Sequence, residues 1–135
     1  MLSNKDYCDY DTCVALIELG FVGISPIVYK GKGKAIERVS RGLLLTPRVA
    51  NANGWVLGIH LYDAQKWLRE KKGIYVMIEA PWKTDDGLGW SHFCCNKPMT
   101  EEDKEVCFAS GGFFDSYEEA LLEGIKQVIY TLKEK

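Results

Sequence analysis

Cysteine and histidine are the residues of this chain whose chemistry is most easily recognised, because thiols and imidazoles bind metals and act as nucleophiles and bases. Cys8 and Cys13 are separated by four residues, and His92, Cys94 and Cys95 form a His-x-Cys-Cys group. Ligands of this kind suit tetrahedral zinc. Structural zinc sites prefer close pairs on turns, however, and adjacent residues of a strand point to opposite faces. We therefore expect no metal site and interpret the thiols as small buried apolar residues.

His92 and Cys94 also fit a cysteine-dependent enzyme. They are two residues apart in a segment predicted to be a strand, and therefore share one face of it. A thiolate beside an imidazole is an activated nucleophile. Side chains two apart on a strand are separated by roughly 6–7 Å, which is too far for the hydrogen bond that activates the thiol. Cysteine catalysis is kept as an alternative, and we assign no catalytic residue and no cofactor.

The segment 30–48 is the strongest indication of a charged partner. Six basic residues stand there against one acid, Glu37, so the segment has a net charge of +5 and leaves −7 for the rest of the chain. Glycines alternate with its lysines, which suits contact with the phosphates of DNA or RNA. The glycine spacing matches neither a dinucleotide-binding fingerprint nor a P-loop. The predicted nucleic-acid-binding residues are Lys30, Lys32, Lys34, Arg38, Arg41 and Arg48.

Paired carboxylates and tryptophans are the remaining candidates. The acids of 85–86 and 101–103 fall in predicted loops, where turn formation and solubility explain them. Trp82 and Trp90 flank a predicted hairpin loop, and we assign them as candidate protein-docking residues. Cross-strand packing is the alternative explanation for both tryptophans.

Length and composition predict one globular domain over residues 1–135. With 47% hydrophobic and 27% charged residues, the chain resembles an ordinary folded protein rather than a disordered one. No apolar run approaches the roughly 18 residues of a membrane span, and a net charge of −2 gives no global attraction to anionic partners. The amino terminus is polar and acidic, and the five cysteines are an odd number. We therefore expect a cytoplasmic protein, away from membranes, with reduced thiols.

Hydrophobic periodicity predicts three helices. Asp11 is the predicted N-cap of the first helix, and Gly20 is expected to end it. The second helix is expected to end before Gly73. In the third, Ser116 and Glu119 form a capping box ahead of an unbroken apolar stripe. The predicted helices cover about residues 11–19, 61–72 and 116–133.

The remaining elements are short strands, so the fold class is α+β. We expect a mainly antiparallel sheet of about three to five short strands with the helices packed on one face. Residues 35–59 are ambiguous. Strands are possible over 43–46 and 55–59, with a turn between them, but neither has clean alternation, and a helix is possible over 35–41. The better-defined strands are predicted over 27–30, 74–80, 89–95 and 106–109.

Two segments, 61–79 and 114–129, resemble small uncharacterised proteins of phage, prophage and other mobile-element regions of gut bacteria. The first reads LYDAQKWLREKKGIYVMIE and the second FDSYEEALLEGIKQVI in one-letter code. Both segments are structural in character: a helix that leads into a strand, and a capped helix. The resemblance implies a phage or mobile-element origin and brings no activity with it.

The predicted helix–strand–strand–strand–helix order also resembles the double-stranded RNA-binding fold. That family presents lysines at the start of its last helix, whereas this chain has Asp115, Glu118 and Glu119 there. Capping and the helix dipole explain these acids. We therefore expect no RNA contact at this helix.

The sequence favours a small non-enzymatic binding or accessory protein that acts through protein-protein contacts, with a protein partner or a second copy. Its surface is expected on the sheet or the hairpin loop. The first alternative is a nucleic-acid-binding accessory protein that uses the basic segment 30–48. The second alternative is a cysteine-dependent enzyme.

Overall fold

The computed structural model describes residues 4–39, 43–84, 87–95 and 107–134. The chain divides into two compact units, Met1–His60 (unit 1) and Leu61–Lys135 (unit 2). Helices and antiparallel strands occur in both, so the predicted α+β class is confirmed. The strands form two sheets of three, whereas we expected one sheet. The assignment of 1–135 to a single domain stays a prediction.

Unit 1 contains three short strands and two α-helices, after a single 3-10 turn at Asn4–Asp6. The strand order is β2-β1-β3, and both pairings are antiparallel. Because β1 is central, its residues are all buried. The elements are α1 (Tyr10–Glu18), β1 (Ile27–Tyr29), β2 (Ile36–Arg38), α2 (Pro47–Ala52) and β3 (Val56–Leu57).

Helix α1 begins at Tyr10, one residue before the predicted start at about residue 11. Its N-cap is Asp9, whose Oδ1 accepts a hydrogen bond from the backbone N–H of Thr12 at 2.9 Å, so the assignment of the cap to Asp11 is wrong. Aspartate is a preferred N-cap residue, so Asp9 and Asp11 are both suitable by type. The hydrogen bond from the Thr12 N–H identifies Asp9 as the cap. The helix ends as expected at Gly20, which has φ +102°, and Phe21 N–H donates to the Leu16 carbonyl in a Schellman motif.

The ambiguous region 35–59 folds differently from either prediction. Residues Ile36–Arg38 form strand β2 and not a helix. The segment 43–46 contributes a single bridge, Ser25 to Leu45, and a helix, α2, follows it. Thr46 caps this helix by accepting from Val49 N–H at 3.2 Å, and a proline occupies its first turn. Of the predicted strand over 55–59, only Val56–Leu57 pairs with a neighbour as β3.

The core of unit 1 joins the start of α1 to the end of β3. Cys8 N–H donates to the Ile59 carbonyl at 2.8 Å, and the Tyr29 hydroxyl donates to the Cys8 carbonyl at 2.6 Å. Leu16, Ile27 and Leu57 of this unit are among the most deeply buried side chains. Burial of these groups holds α1 in place. Parts of the segment 22–55 stay exposed and form the surface described below.

Unit 2 has the predicted helix–strand–strand–strand–helix order. Its sheet is an antiparallel meander in the order β4-β5-β6, with a β-bulge between Glu79 and Trp82. The hairpin strands are longer than predicted and leave only residues 85–86, which lie outside the described residues, to connect them. The elements are α3 (Leu61–Lys72), β4 (Tyr75–Thr84), β5 (Gly87–Cys95), β6 (Cys107–Phe114) and α4 (Tyr117–Lys133).

Helix α4 lies directly on this sheet. Ser116 Oγ accepts from Glu119 N–H at 3.1 Å, and Glu119 Oε2 accepts from Asp115 N–H at 3.3 Å, so the predicted capping box forms with its return bond one residue before the cap. Gly124 lies at the closest approach, because a Cβ there would stand 2.6 Å from Val76 Cγ1. None of the helices in the described part of the chain is long and apolar enough to cross a membrane.

Candidate binding site

The cysteine and histidine candidates are distributed over both units and are buried. Cys8 and Cys13 lie in unit 1, where the Cys13 thiol is 3.5 Å from the Cys8 carbonyl and accepts from Ile59 N–H at 3.4 Å. The neighbouring Cys13 thiol and burial raise the pKa of Cys8 well above its ordinary value. Among the residues that the structure describes, no group of three or more metal-ligating side chains occurs.

His92 and Cys94 share one face of β5, as predicted, and that face is covered by α4. The Cys94 thiol donates to the Gly124 carbonyl at 3.4 Å, and burial raises its pKa to about 12. Neither ring nitrogen of His92 has a hydrogen-bond partner within the described residues, and the ring stacks on Phe114 at 5.7 Å. Burial lowers the pKa of His92. A protonated thiol beside an unpaired neutral imidazole is the reverse of an activated nucleophile.

Cys95 is the exception to the prediction of reduced thiols. It takes part in a disulfide bond, whereas Cys8, Cys13 and Cys94 are free. The expectation that all the thiols are reduced is therefore wrong at Cys95. The odd number of cysteines favoured free thiols, but a count cannot identify which strands bring two cysteines together.

The acidic and tryptophan candidates have different outcomes. The acids of 85–86 and 101–103 lie outside the described residues, and the side chain of Trp82 is likewise not described. Trp90 is half-buried and packs edge-on against Tyr117 at 5.5 Å between ring centroids, and Tyr117 contacts Tyr62 at 6.2 Å. Packing within unit 2 therefore accounts for most of the Trp90 side chain, while Tyr62 is exposed.

The basic segment is placed on one surface of unit 1. Lys30 follows β1, Lys32 and Lys34 lie in the turn before β2, and Arg38 ends β2. Lys30 is 3.8 Å from Glu37 and Lys32 is 3.9 Å from Asp11, and exposed pairs of this kind contribute little to stability. Arg41 lies outside the described residues, and Arg48 lies on α2.

Two of these basic residues line a groove of about 470 Å³, which we call the basic groove. Lys30 Nζ lies 5.1 Å above the centroid of the Trp55 ring at one wall, a cation-π arrangement. Arg38 also lines the groove and forms no ion pair with any residue that the structure describes. Asn53 and four aliphatic side chains complete the lining: Val39, Leu43, Leu45 and Val49.

A second groove of about 430 Å³ is also lined in part by α2, and we call it the apolar groove. Ile17, Phe21, Val22 and Pro47 give it an apolar lining, and Arg48 is its charged group. Helix α2 contributes residues to both grooves. We call the two grooves and this helix the α2 face.

The α2 face is unusual in its exposed apolar residues. Five large hydrophobic side chains of unit 1 are well exposed on this face or beside it, and Val22 is the most exposed of them at 67%. Isolated exposed apolar residues are ordinary, but a contiguous group marks an interaction surface. The residues are Val22, Ile24, Leu43, Leu44 and Val49.

Charge distinguishes the two units. Unit 1 has seven basic and five acidic residues, a net charge of +2, while unit 2 has ten basic and fourteen acidic residues, a net charge of −4. The acids at the start of α4 belong to unit 2, where like charge disfavours a polyanion. The α2 face therefore combines apolar surface with positive charge.

Trp55, Val22 and, apart from Arg48, the lining of the apolar groove were not predicted as site residues. Trp55 follows a turn and lies 25 positions after Lys30, so only the β1–β3 pairing brings the two together. Residues Thr46 and Pro47, a cap followed by proline, were the available signal for α2.

Comparison with known proteins identifies no relative. No protein-family model, no curated protein and no solved structure matches this chain. Functional inference therefore depends on the geometry of the site itself.

Proposed function

We propose that this chain is a small non-enzymatic binding protein, an accessory protein of phage or mobile-element origin, which binds a protein partner through the α2 face. The observation that carries this proposal is the set of exposed aliphatic side chains on or beside two grooves that each contain an arginine. The proposed origin depends only on the resemblance of segments 61–79 and 114–129.

The chemistry of the α2 face specifies the partner as an acidic, amphipathic protein segment. Arg38 and Arg48 have no ion-pair partner within the described residues, and a guanidinium pairs with carboxylates in a two-pronged geometry. The aliphatic residues need apolar partners, because full burial of such a side chain is favourable by about 1.5–3 kcal/mol. A segment with alternating acidic and bulky apolar side chains satisfies both requirements.

Selection from a displayed library of random peptides tests this proposal. We expect the purified protein to enrich peptides that contain acidic and bulky apolar residues, and a fluorescent synthetic copy of one such peptide to bind by anisotropy. Val22→Asp and Arg48→Glu should each weaken binding about tenfold or more, which corresponds to about 1.4 kcal/mol.

Two variants in unit 2 serve as matched controls. Tyr130 is 65% exposed, so Tyr130→Asp makes the same change of character as Val22→Asp on a surface outside unit 1. Lys71→Glu reverses one exposed charge on α3, as Arg48→Glu does on α2. Both controls should bind like the unmodified protein. Enrichment of basic peptides, or equal loss in the controls and the α2 variants, would contradict the proposal.

Single-stranded nucleic acid is the second candidate, favoured by the basic groove. A base can stack on Trp55, and Lys30 and Arg38 lie within the same groove to pair with the flanking phosphates. A fluorescent oligothymidylate is the probe. Binding should weaken with salt, with a log–log slope of about −0.7 for each phosphate neutralised, and Trp55→Ala should abolish it. An affinity for the oligothymidylate that changes neither with salt nor in Trp55→Ala would contradict this candidate.

A further inference from the structure

Strand β4 is an edge of the unit 2 sheet. In the order β4-β5-β6, it pairs with β5 along one side, and no other strand of the described chain pairs with its second side. It is ten residues long, which makes it the longest strand described. A long unpaired edge exposes a row of backbone N–H and C=O groups that can pair with another strand.

The far half of β4 carries features that protect an edge. A β-bulge interrupts the ladder between Glu79 and Trp82, Pro81 has no N–H to donate, and residue 83 is a lysine. Bulges, prolines and lysines are the usual means by which natural edges avoid pairing. The near half, Tyr75 to Ile78, has none of them, and three of its four residues favour strands.

A groove of about 420 Å³ lies along this unprotected half. It is lined by Tyr75, Val76, Met77 and Ile78, which are consecutive, together with Gln65 and Arg69 of α3. Consecutive strand residues alternate between the faces of a sheet, so a groove that contacts all four follows the edge.

One hydrogen bond defines which backbone groups face the groove. Gln65 Nε2 donates to the Val76 carbonyl at 2.7 Å, so this carbonyl is directed away from β5. In an antiparallel strand the N–H and C=O of one residue point to the same side, and the pattern repeats every second residue. The N–H groups of Val76 and Ile78 and the Ile78 carbonyl therefore face outward.

We propose that this edge pairs with the same edge of a second copy of the chain, in an antiparallel arrangement centred on Met77. Val76 of one copy then lies opposite Ile78 of the other, and both exchange N–H to C=O hydrogen bonds in the manner of a closely spaced antiparallel pair. The Val76 carbonyl has a second lone pair, so it accepts this bond beside the one from Gln65. The two-fold axis repeats these bonds, so the outward groups of both residues are satisfied.

Charge complementarity favours a second copy over an unrelated strand. In this register Glu79 of one copy, whose Oε2 accepts a hydrogen bond from Ser91 Oγ of its own sheet at 3.4 Å, lies opposite Tyr75 of the other, and Arg69 lines the same groove as that tyrosine. Each copy therefore supplies one arginine and one carboxylate to the ends of the paired strands. Two three-stranded sheets become one continuous six-stranded sheet. This pairing uses unit 2 alone and is independent of the proposed function of the α2 face.

Light scattering after size-exclusion chromatography tests the pairing over a dilution series. We expect a dimer that dissociates on dilution. Ile78→Pro removes an outward N–H at an edge position, where proline is tolerated, and should give a monomer with unchanged far-UV circular dichroism. Val22→Asp, which alters the α2 face, is the control and should leave the dimer intact.

Amide hydrogen exchange of the unmodified protein gives a readout that needs no variant. The N–H groups of Val76 and Ile78 should exchange more slowly as protein concentration rises, while amides of the α2 face are unaffected. A monomer at every concentration would overturn the proposal. So would a dimer that survives Ile78→Pro in a folded variant, or one whose concentration-dependent protection lies outside β4.

Discussion

The contact between Gly124 and the sheet of unit 2 gives the sharpest stability prediction. A Cβ at this position would lie 2.6 Å from Val76 Cγ1 and 3.3 Å from His92 Cγ, and Val76 is only 3% exposed. Because neither neighbour can move away freely, Gly124→Ala forces α4 from the sheet. Overpacking of this kind costs about 1–3 kcal/mol, and the tight contact indicates the upper part of that range.

Helix propensity opposes the steric cost. Alanine is favoured over glycine within a helix by about 1 kcal/mol, so we expect Gly124→Ala to lower the free energy of unfolding by about 1–2 kcal/mol. Urea unfolding followed by circular dichroism measures the change, provided that the slope with denaturant is the same for both proteins.

A double-mutant cycle separates the contact from the propensity effect. Val76→Ala removes Cγ1, so in that background Gly124→Ala should be nearly neutral or stabilising, with a coupling energy of about 2 kcal/mol between the two sites. Strictly additive effects, or a stabilising Gly124→Ala in the unmodified protein, would refute the close approach of α4 to β4.

Three further outcomes follow from buried or capping groups. Burial lowers the pKa of His92, so below a pH of about 6.5 the unfolded chain gains a proton that the folded chain lacks. The free energy of unfolding should therefore fall as pH drops below about 6.5 and level off once folded His92 is protonated. The fall should be smaller in His92→Phe, and equal pH curves for the two proteins would contradict this. Ser116→Ala should cost about 1 kcal/mol in urea unfolding, while Ser116→Asp should cost little, and equal losses would show that the cap is not the cause. Because burial raises the pKa of Cys94 to about 12, this thiol should react with iodoacetamide slowly near neutral pH and rapidly only in urea. Fast, selective alkylation of the folded protein would restore the cysteine-enzyme alternative.

The elements that could be predicted from the sequence are those whose signals are local. Helix α4 has a cap, a reciprocal carboxylate and an apolar stripe, and all of these act within one or two turns. Helix α3 and the β4–β5 hairpin are similarly self-contained. In contrast, β1, β2 and β3 are two or three residues long, and their pairing is determined by contacts distant in the sequence.

The site was predictable in part for the same reason. The run of basic residues can be read directly from the sequence, and this run alone predicts a charged surface. The grooves require α2, Trp55 and the Phe21 segment to meet on one surface of unit 1, which is a property of the tertiary fold. The Ser25–Leu45 bridge is one of the contacts that brings these segments together.

The reactive groups inside the fold differ in character from the groups exposed at the α2 face. Cys8, Cys13, His92 and Cys94 are each less than a tenth exposed, whereas His60 is half-buried. The pKa values of Cys8 and Cys94 are raised and that of His92 is lowered, so each of these three groups is held in its neutral form. The groups at the α2 face are the opposite: guanidinium and ammonium groups beside aliphatic side chains that remain in water. Recognition needs such exposed groups, and a nucleophile needs the ionised thiol that this fold disfavours.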